Sequence, residues 1–235
     1  MRTILKIFLL AFLLIYVSFE AAGQTQKKRF TSDVHLGLNF AQMDIEGANM
    51  YKELKLGMQV GANFNYKIFS NIQVQTGIFV TKRGLKQHID RLDTSNTAAE
   101  VVVRGDSVFN TAADYIQVPL CIGYEVYLNS HLAVNINAGL YVAYGFKGKH
   151  RQQGYAETII NGKVDGTAIT LPYSETNTFD FKRWNRFDYG GIAKVGLIYD
   201  IYTINCGYEY GLHNVSDEGR NLKNRNVFVS LGFRF

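Results

Sequence analysis

The sequence predicts an all-β fold, an eight-stranded antiparallel up-and-down transmembrane β-barrel. Three observations predict it. Eight separate segments alternate apolar residues with small or polar ones, the signature of strands whose two faces see different environments. The connections between those segments run long, short, long, short along the whole chain, the pattern of a barrel with short turns at one end and long loops at the other. The last stretch, residues 225–235, reads RNVFVSLGFRF. Val227, Val229, Leu231, Phe233 and Phe235 fall on one side of it, and Phe228, Ser230, Gly232 and Arg234 on the other. A strand of this kind, ending on an aromatic residue, suits the closing strand of a sheet in a membrane.

The N-terminus carries a different signal. Arg2 and Lys6 give a positive start, residues 7–17 are almost wholly apolar, and Ala21 and Gly23 form a small-x-small site. The pattern predicts a secretory signal peptide over residues 1–23, cut before Gln24, with the barrel domain over 24–235. The apolar run is shorter than the roughly 20 residues that a spanning helix needs. No Cys follows the site, so a lipoprotein anchor is not expected.

The strands follow in order. The first covers 34–41, the second 54–66, the third 72–81, the fourth 116–126, the fifth 132–144, the sixth 187–199, the seventh 202–211 and the eighth 227–235. In the second, Leu54, Leu56, Met58, Val60, Ala62, Phe64 and Tyr66 alternate with Lys55, Gly57, Gln59, Gly61, Asn63 and Asn65. The sixth is the least regular, with Ile192 and Ile198 on its polar side. Short turns are expected at 67–71, 129–130 and 200–201, and long polar loops at 42–53, 82–111, 146–186 and 213–224.

Composition agrees. Pro is scarce at 2 residues, Gly is frequent at 22, and Tyr and Phe number 15 and 16, a balance that favours strands and turns over helices. The formal charge of +5 is scattered, and no basic patch of the kind that binds nucleic acid is present. Cys121 falls on the polar face of the fourth strand and Cys206 on the apolar face of the seventh. Side chains on opposite faces cannot meet, so two free thiols are expected.

Alternation alone does not say which face is wet. A soluble barrel hides its apolar face. The secretory signal, the terminal Phe235 and the aromatic residues at strand ends favour the membrane reading. Tyr66, Tyr124, Tyr144, Tyr189, Tyr199, Tyr202 and Tyr210 lie where interfacial girdles belong. The small and polar set then fills a narrow interior.

Several stretches carry a resemblance. Residues 115–120 read YIQVPL, 186–191 RFDYGG, 208–212 YEYGL and 226–235 NVFVSLGFRF. Over roughly residues 30–235 the chain resembles the outer-membrane β-barrel domain of porin-family proteins, including PorT-like members. The resemblance implies a Gram-negative outer-membrane location, reached after secretion across the inner membrane, and for PorT-like members an association with protein secretion. It implies no activity.

The search for chemistry finds little. Asp33, Glu125, Lys194, Glu209 and Arg234 face the predicted lumen and form a candidate polar network. Charges in so narrow a space must be paired, either as an ion path or as a structural plug. Pro119 faces the same way and lacks a ladder donor, so it is expected to mark a bulge. His213, Ser216, Asp217 and Glu218 offer the residue types of a Ser/His/acid site, but catalysis needs base and nucleophile held within hydrogen-bond reach, and a loop run is more often a solvated turn. Lys147, Lys149, His150 and Arg151 are candidates for meeting lipopolysaccharide phosphates. No phosphate loop, dinucleotide fingerprint or metal-ligand spacing is present in the sequence, and no cofactor is expected.

Three functions are open on these residues. The first is a non-enzymatic barrel with a filled lumen, acting through its extracellular loops or within an envelope or secretion assembly. The second is a small diffusion channel, and the third a lipid A-modifying enzyme. The expected partners are outer-membrane lipid and lipopolysaccharide, the outer-membrane assembly machinery and an envelope protein.

Overall fold

The computed structural model describes residues 29–45, 51–96, 100–160, 163–179, 184–216 and 221–235. The expected signal peptide and its cleavage site lie outside them. The described residues form ten strands: β1 (Phe30–Ile45), β2 (Tyr51–Glu53), β3 (Lys55–Lys67), β4 (Ile72–Asn96), β5 (Glu100–Tyr127), β6 (Leu132–Ile160), β7 (Lys163–Thr176), β8 (Phe187–Tyr199), β9 (Tyr202–Gly211) and β10 (Leu222–Arg234). Eight of them make the wall. Going round it, β3 pairs with β1, β1 with β10, then β9, β8, β6, β5 and β4, and β4 pairs back to β3. Every pairing is antiparallel. The ring therefore closes as the eight-stranded barrel that the alternation predicts. Closure matters in lipid because an open edge would leave backbone groups unsatisfied at several kcal/mol each.

The two faces are the ones that the alternation separates. The outward set is exposed or half-exposed, with Leu36, Met58, Ile122, Leu140 and Leu231 among the most exposed. Tyr66, Tyr124, Tyr199, Tyr202 and Phe235 are exposed near the short-turn end, and Tyr144 and Tyr189 near the other. The inward set is buried and largely polar. Cys121 is buried, Cys206 is exposed, and both are free.

The long connections differ from expectation. Residues 82–96 and 100–115, expected within or beside a polar loop, continue β4 and β5 as a paired hairpin out to Asn96↔Glu100. Residues 146–160 likewise continue β6, and β7 folds back on it. Among the described residues, β2 pairs with β4 at this end. In these extensions the backbone ladder persists while the apolar alternation that would reveal it disappears from the sequence.

Pro119 also corrects an expectation. The β4–β5 ladder is interrupted beside it, between Thr76↔Leu120 and Phe79↔Gln117, yet the register is the same on either side. The missing N–H costs ladder bonds without inserting a residue. The bulge lies elsewhere. Asp114 pairs with Lys147 while Tyr115 pairs with Gly145, so Phe146 is the extra residue.

Candidate functional site

Among the described residues, the lumen is where the fold gathers unlike charges away from water, and it is built in levels. At the short-turn end β10 brings in Arg234, β1 Asp33, β5 Glu125 and β3 Lys67. Arg234 donates from Nε to Asp33 Oδ1 at 2.6 Å and from Nη1 to Glu125 Oε2 at 2.9 Å. Lys67 Nζ donates to Glu125 Oε1 at 2.7 Å, and the Tyr127 hydroxyl donates to the same oxygen. Asn65 Nδ2 donates to Asp33 Oδ2 at 2.9 Å. Two cations thus face two carboxylates, and the charges cancel within the cluster. A vestibule of about 810 Å³ opens outside it, bordered by Lys67, Glu125, Tyr127, Asp200 and Arg234.

The middle of the barrel is rich in amides. His35, Asn63, Asn205 and Lys194 surround a void of only about 10 Å³, at the lower limit for a single water. Lys194 Nζ donates to Asn63 Oδ1 at 3.3 Å and lies 6.0 Å from the centre of the Phe79 ring. Asn205 Nδ2 is 3.3 Å from His35 Nδ1.

Toward the long-strand end lies the tightest knot. Arg83 on β4 is fully buried. Its Nη1 donates to Asp188 Oδ2 at 2.9 Å and its Nη2 to Glu209 Oε2 at 2.7 Å; Nη2 also donates to Gln117. The guanidinium carbon sits 4.8 Å from the Tyr141 ring and 5.5 Å from Tyr115. Asp188 also accepts from Tyr141 Oη at 3.2 Å and Asn224 Nδ2 at 2.9 Å. Glu209 also accepts from Gln117 Nε2 at 2.7 Å and Asn226 Nδ2 at 2.9 Å. Each carboxylate therefore has three donors, shared between both oxygens of Glu209 but all on Oδ2 of Asp188, whose Oδ1 is buried without a partner among the described residues.

An apolar cap lies above the knot. Phe179 meets Tyr115 edge-on at 5.9 Å between centroids, and Thr178 Oγ1 donates to the Ala112 carbonyl at 2.8 Å. Met43, Leu85 and Val215 form a second buried cluster against Trp184 and Leu222. The segments leading into β8 and β10 thus fold back over the opening.

Asp33, Glu125, Lys194, Glu209 and Arg234 are all placed in the lumen, but at different heights. Asp33, Glu125 and Arg234 meet at the short-turn end. Glu209 belongs to the Arg83 knot. Lys194 stands between, with no ion pair to either among the described residues. The sequence reading missed Arg83, Lys67 and Tyr127. Arg83 lies two residues beyond the third expected strand and keeps the inward parity of Gln73, Gln75 and Thr81, which was the available signal.

The other candidates separate. The His213 ring packs on the outward aromatics, 5.3 Å from Tyr189 and 6.3 Å from Phe187. Ser216 is buried at an antiparallel bridge with Trp184. Asp217 and Glu218 lie outside the described residues. Of the basic run, Lys149 and Arg151 both pair with Glu175, at 2.7 and 3.0 Å, and His150 Nδ1 is 2.7 Å from Thr111 Oγ1.

Comparison with known proteins gives a family and a set of folds. The sequence profile of the outer membrane protein beta-barrel domain matches residues 22–217. No curated protein matches the chain. Among solved structures, the chain is similar to Ail, the attachment invasion locus protein of Yersinia pestis, at 14% identity and a TM-score of 0.38, over 87% of this chain and 98% of that one. It is similar to OprG from Pseudomonas aeruginosa at 10% identity and a TM-score of 0.40, over 88% and 94%. Neisserial surface protein A is similar at 11% identity and a TM-score of 0.36, over 87% and 97%.

Proposed function

The chain belongs to the outer membrane protein β-barrel domain family, and from that premise we propose that it is a non-enzymatic barrel whose lumen is a side-chain plug and which acts through its long-strand end, within an envelope or secretion assembly. Its location is the outer membrane, and its apolar belt contacts the lipid there. The short turns face the periplasm and the extended hairpins face outward, the arrangement usual for such barrels.

One observation carries the reading. The lumen is blocked at successive heights, by the Asp33–Arg234–Glu125 cluster, by a middle with a void of about 10 Å³, and by the Arg83 knot. An eight-stranded barrel has an interior that side chains just fill, and here they are largely buried, with ion pairs at both ends and a cap over the Arg83 knot. That opposes a diffusion channel. The separate settings of His213 and Ser216 oppose a hydrolytic site, because base and nucleophile need a shared hydrogen bond. What remains available to a partner is the paired sheet of β4, β5, β6 and β7 beyond the membrane.

Single-channel recording in planar bilayers tests the plug. The expected trace has no steady open state, and a steady ohmic pore from the folded protein would overturn the reading. Crosslinking in intact outer membranes, followed by pull-down, identifies the envelope partner. Recovery of the barrel alone, from membranes where the crosslinker reaches the hairpins, would remove the assembly role.

A further inference from the structure

The outer wall is asymmetric in charge. From the short turns upward, the outward positions carry no charged residue until the other rim, where the first ones met are Asp44, Lys82, Asp114, Lys147 and Arg225, with Lys223 just beyond. They fall into two groups of two cations around one carboxylate. On one side Lys82, Asp114 and Lys147 are register neighbours across β4, β5 and β6, and Lys82 Nζ lies 3.6 Å from Asp114 Oδ1. On the other, Asp44 and Lys223 are register neighbours across β1 and β10, and Arg225 bonds Asp44. Each group has one positive charge in excess.

Their height is set by the apolar belt. The row below the first group is Val80, Ile116 and Tyr144, all outward and exposed. Arg225 lies 4.7 Å from the centre of the Tyr210 ring. Cations immediately beyond an aromatic girdle stand at headgroup level. The bulge supplies the second observation. Tyr141, Ala143 and Gly145 face inward, so uninterrupted alternation would turn Lys147 inward too. The extra residue Phe146 reverses the parity and brings exposed Lys147 opposite outward Asp114. Bulges commonly serve to re-aim a side chain. Lys149 and Arg151, higher up, are tied to Glu175.

We propose that this rim is a phosphate-binding collar, in which Lys82 with Lys147, and Lys223 with Arg225, hold the phosphate groups of an outer-leaflet glycolipid. The inference rests on the proposed orientation with the hairpins outward. A glycolipid with two phosphates on its sugar headgroup matches two sparse, separated cation pairs, whereas uncharged headgroups gain nothing from them.

The test uses the full-length barrel, washed in detergent and loaded with bisphosphorylated lipid A, with the same lipid A stripped of both phosphates, or with phosphatidylglycerol. Lipid retained per protein is measured by mass spectrometry. The wild type should retain the bisphosphorylated form about tenfold better than the stripped form, since each basic residue near a charged headgroup contributes appreciably. K82Q/K147Q/K223Q/R225Q should fall to the stripped level, and K82Q/K147Q alone should fall part of the way. Heat-modifiable gel mobility confirms that each barrel tested is closed, and the double variant decides the matter if the quadruple one does not close. Equal retention of the bisphosphorylated lipid by wild type and variants would overturn the collar. Equal retention of phosphatidylglycerol by the wild type would overturn its assignment to the glycolipid. The conductance of the same preparations reads the plug separately, and surface labelling of the hairpins in intact cells reads the orientation.

Discussion

Asp33 and Arg234 stand opposite each other across the seam between the first and last wall strands, and the guanidinium closes on the carboxylate at 2.6 Å. They are 201 residues apart in sequence. The pair forms in this geometry only when β1 and β10 are zipped in register, because a one-residue slip would turn one partner outward into lipid. Closure of the barrel and burial of this charge are therefore one event. Arg234 also reaches Glu125 on the opposite side of the lumen, so the seam is tied to the far wall.

Arg234→Ala should loosen this end. It leaves Asp33 and Glu125 buried, with Lys67 the remaining cation of the cluster. Removing one partner of a buried pair typically costs about 3–5 kcal/mol, and the partial exposure of Arg234 places it toward the lower figure. Urea unfolding in lipid vesicles, compared with the wild type, measures the loss. An unchanged midpoint would show that the cluster contributes nothing to the closed state.

Arg83→Met should be more damaging. Asp188 and Glu209 would face each other in the lumen without the one cation that bonds both. Neutralising them as well, in a triple variant with Asp188→Asn and Glu209→Gln, should recover much of the loss, because replacing a whole buried ionic group is far less costly than breaking it. The comparison of single and triple variants in the same unfolding assay separates charge from volume. Equal damage in both would assign the effect to packing around Tyr115 and Tyr141.

Gly190→Val tests how the knot is fitted. A side chain at Gly190 would begin 2.8 Å from the Tyr141 ring and 2.1 Å from the Tyr210 carbonyl oxygen. The Tyr141 hydroxyl donates to Asp188, so displacing the ring also removes a donor from the buried carboxylate. Overpacking of this kind costs about 1–3 kcal/mol, and the lost hydrogen bond adds to it. The expected outcome is a lower unfolding midpoint, read by tryptophan fluorescence or gel mobility, and an unchanged midpoint would show that the wall yields at Gly190 without disturbing the knot.

The sequence was most legible where lipid imposed a rule. Residues such as Leu132, Val134, Ile136 and Leu140 announce their face because every second side chain must be apolar, and the closed wall follows from eight such runs. Above the membrane the rule lapses. β4 beyond Thr81 and β5 before Tyr115 hold their pairing through backbone bonds that leave no mark on composition, so Arg83 was passed over. Alternation also gives a face and not a height. It puts Asp33, Glu125, Lys194, Glu209 and Arg234 on the lumen side, but which of them touch depends on strand tilt and stagger. Those bring Arg83 to Asp188 across 105 residues, and leave Lys194 with Asn63.

The closing strand and the outer hairpins should respond oppositely to deletion. β10 bonds to β9 along one edge and to β1 along the other. Removing residues 227–235 would open both edges in lipid, where each unsatisfied backbone group costs several kcal/mol, and would take Arg234 and Phe228 out of the lumen with them. The truncated chain should accumulate as a degraded or aggregated periplasmic species. Removing the tip of the β6–β7 hairpin, residues 157–168, cuts only pairs beyond the wall, because the β6–β8 ladder runs from Leu132↔Tyr199 to Tyr144↔Phe187 and is left whole. Phe179 and Thr178, which cap the lumen, are also retained. That variant should insert normally. Membrane fractionation and heat-modifiable gel mobility compare the two. A heat-modifiable, membrane-inserted species from the chain lacking residues 227–235 would refute the closing role of β10, and failure of the hairpin variant to insert would show that the outer sheet, rather than the wall alone, is needed for assembly.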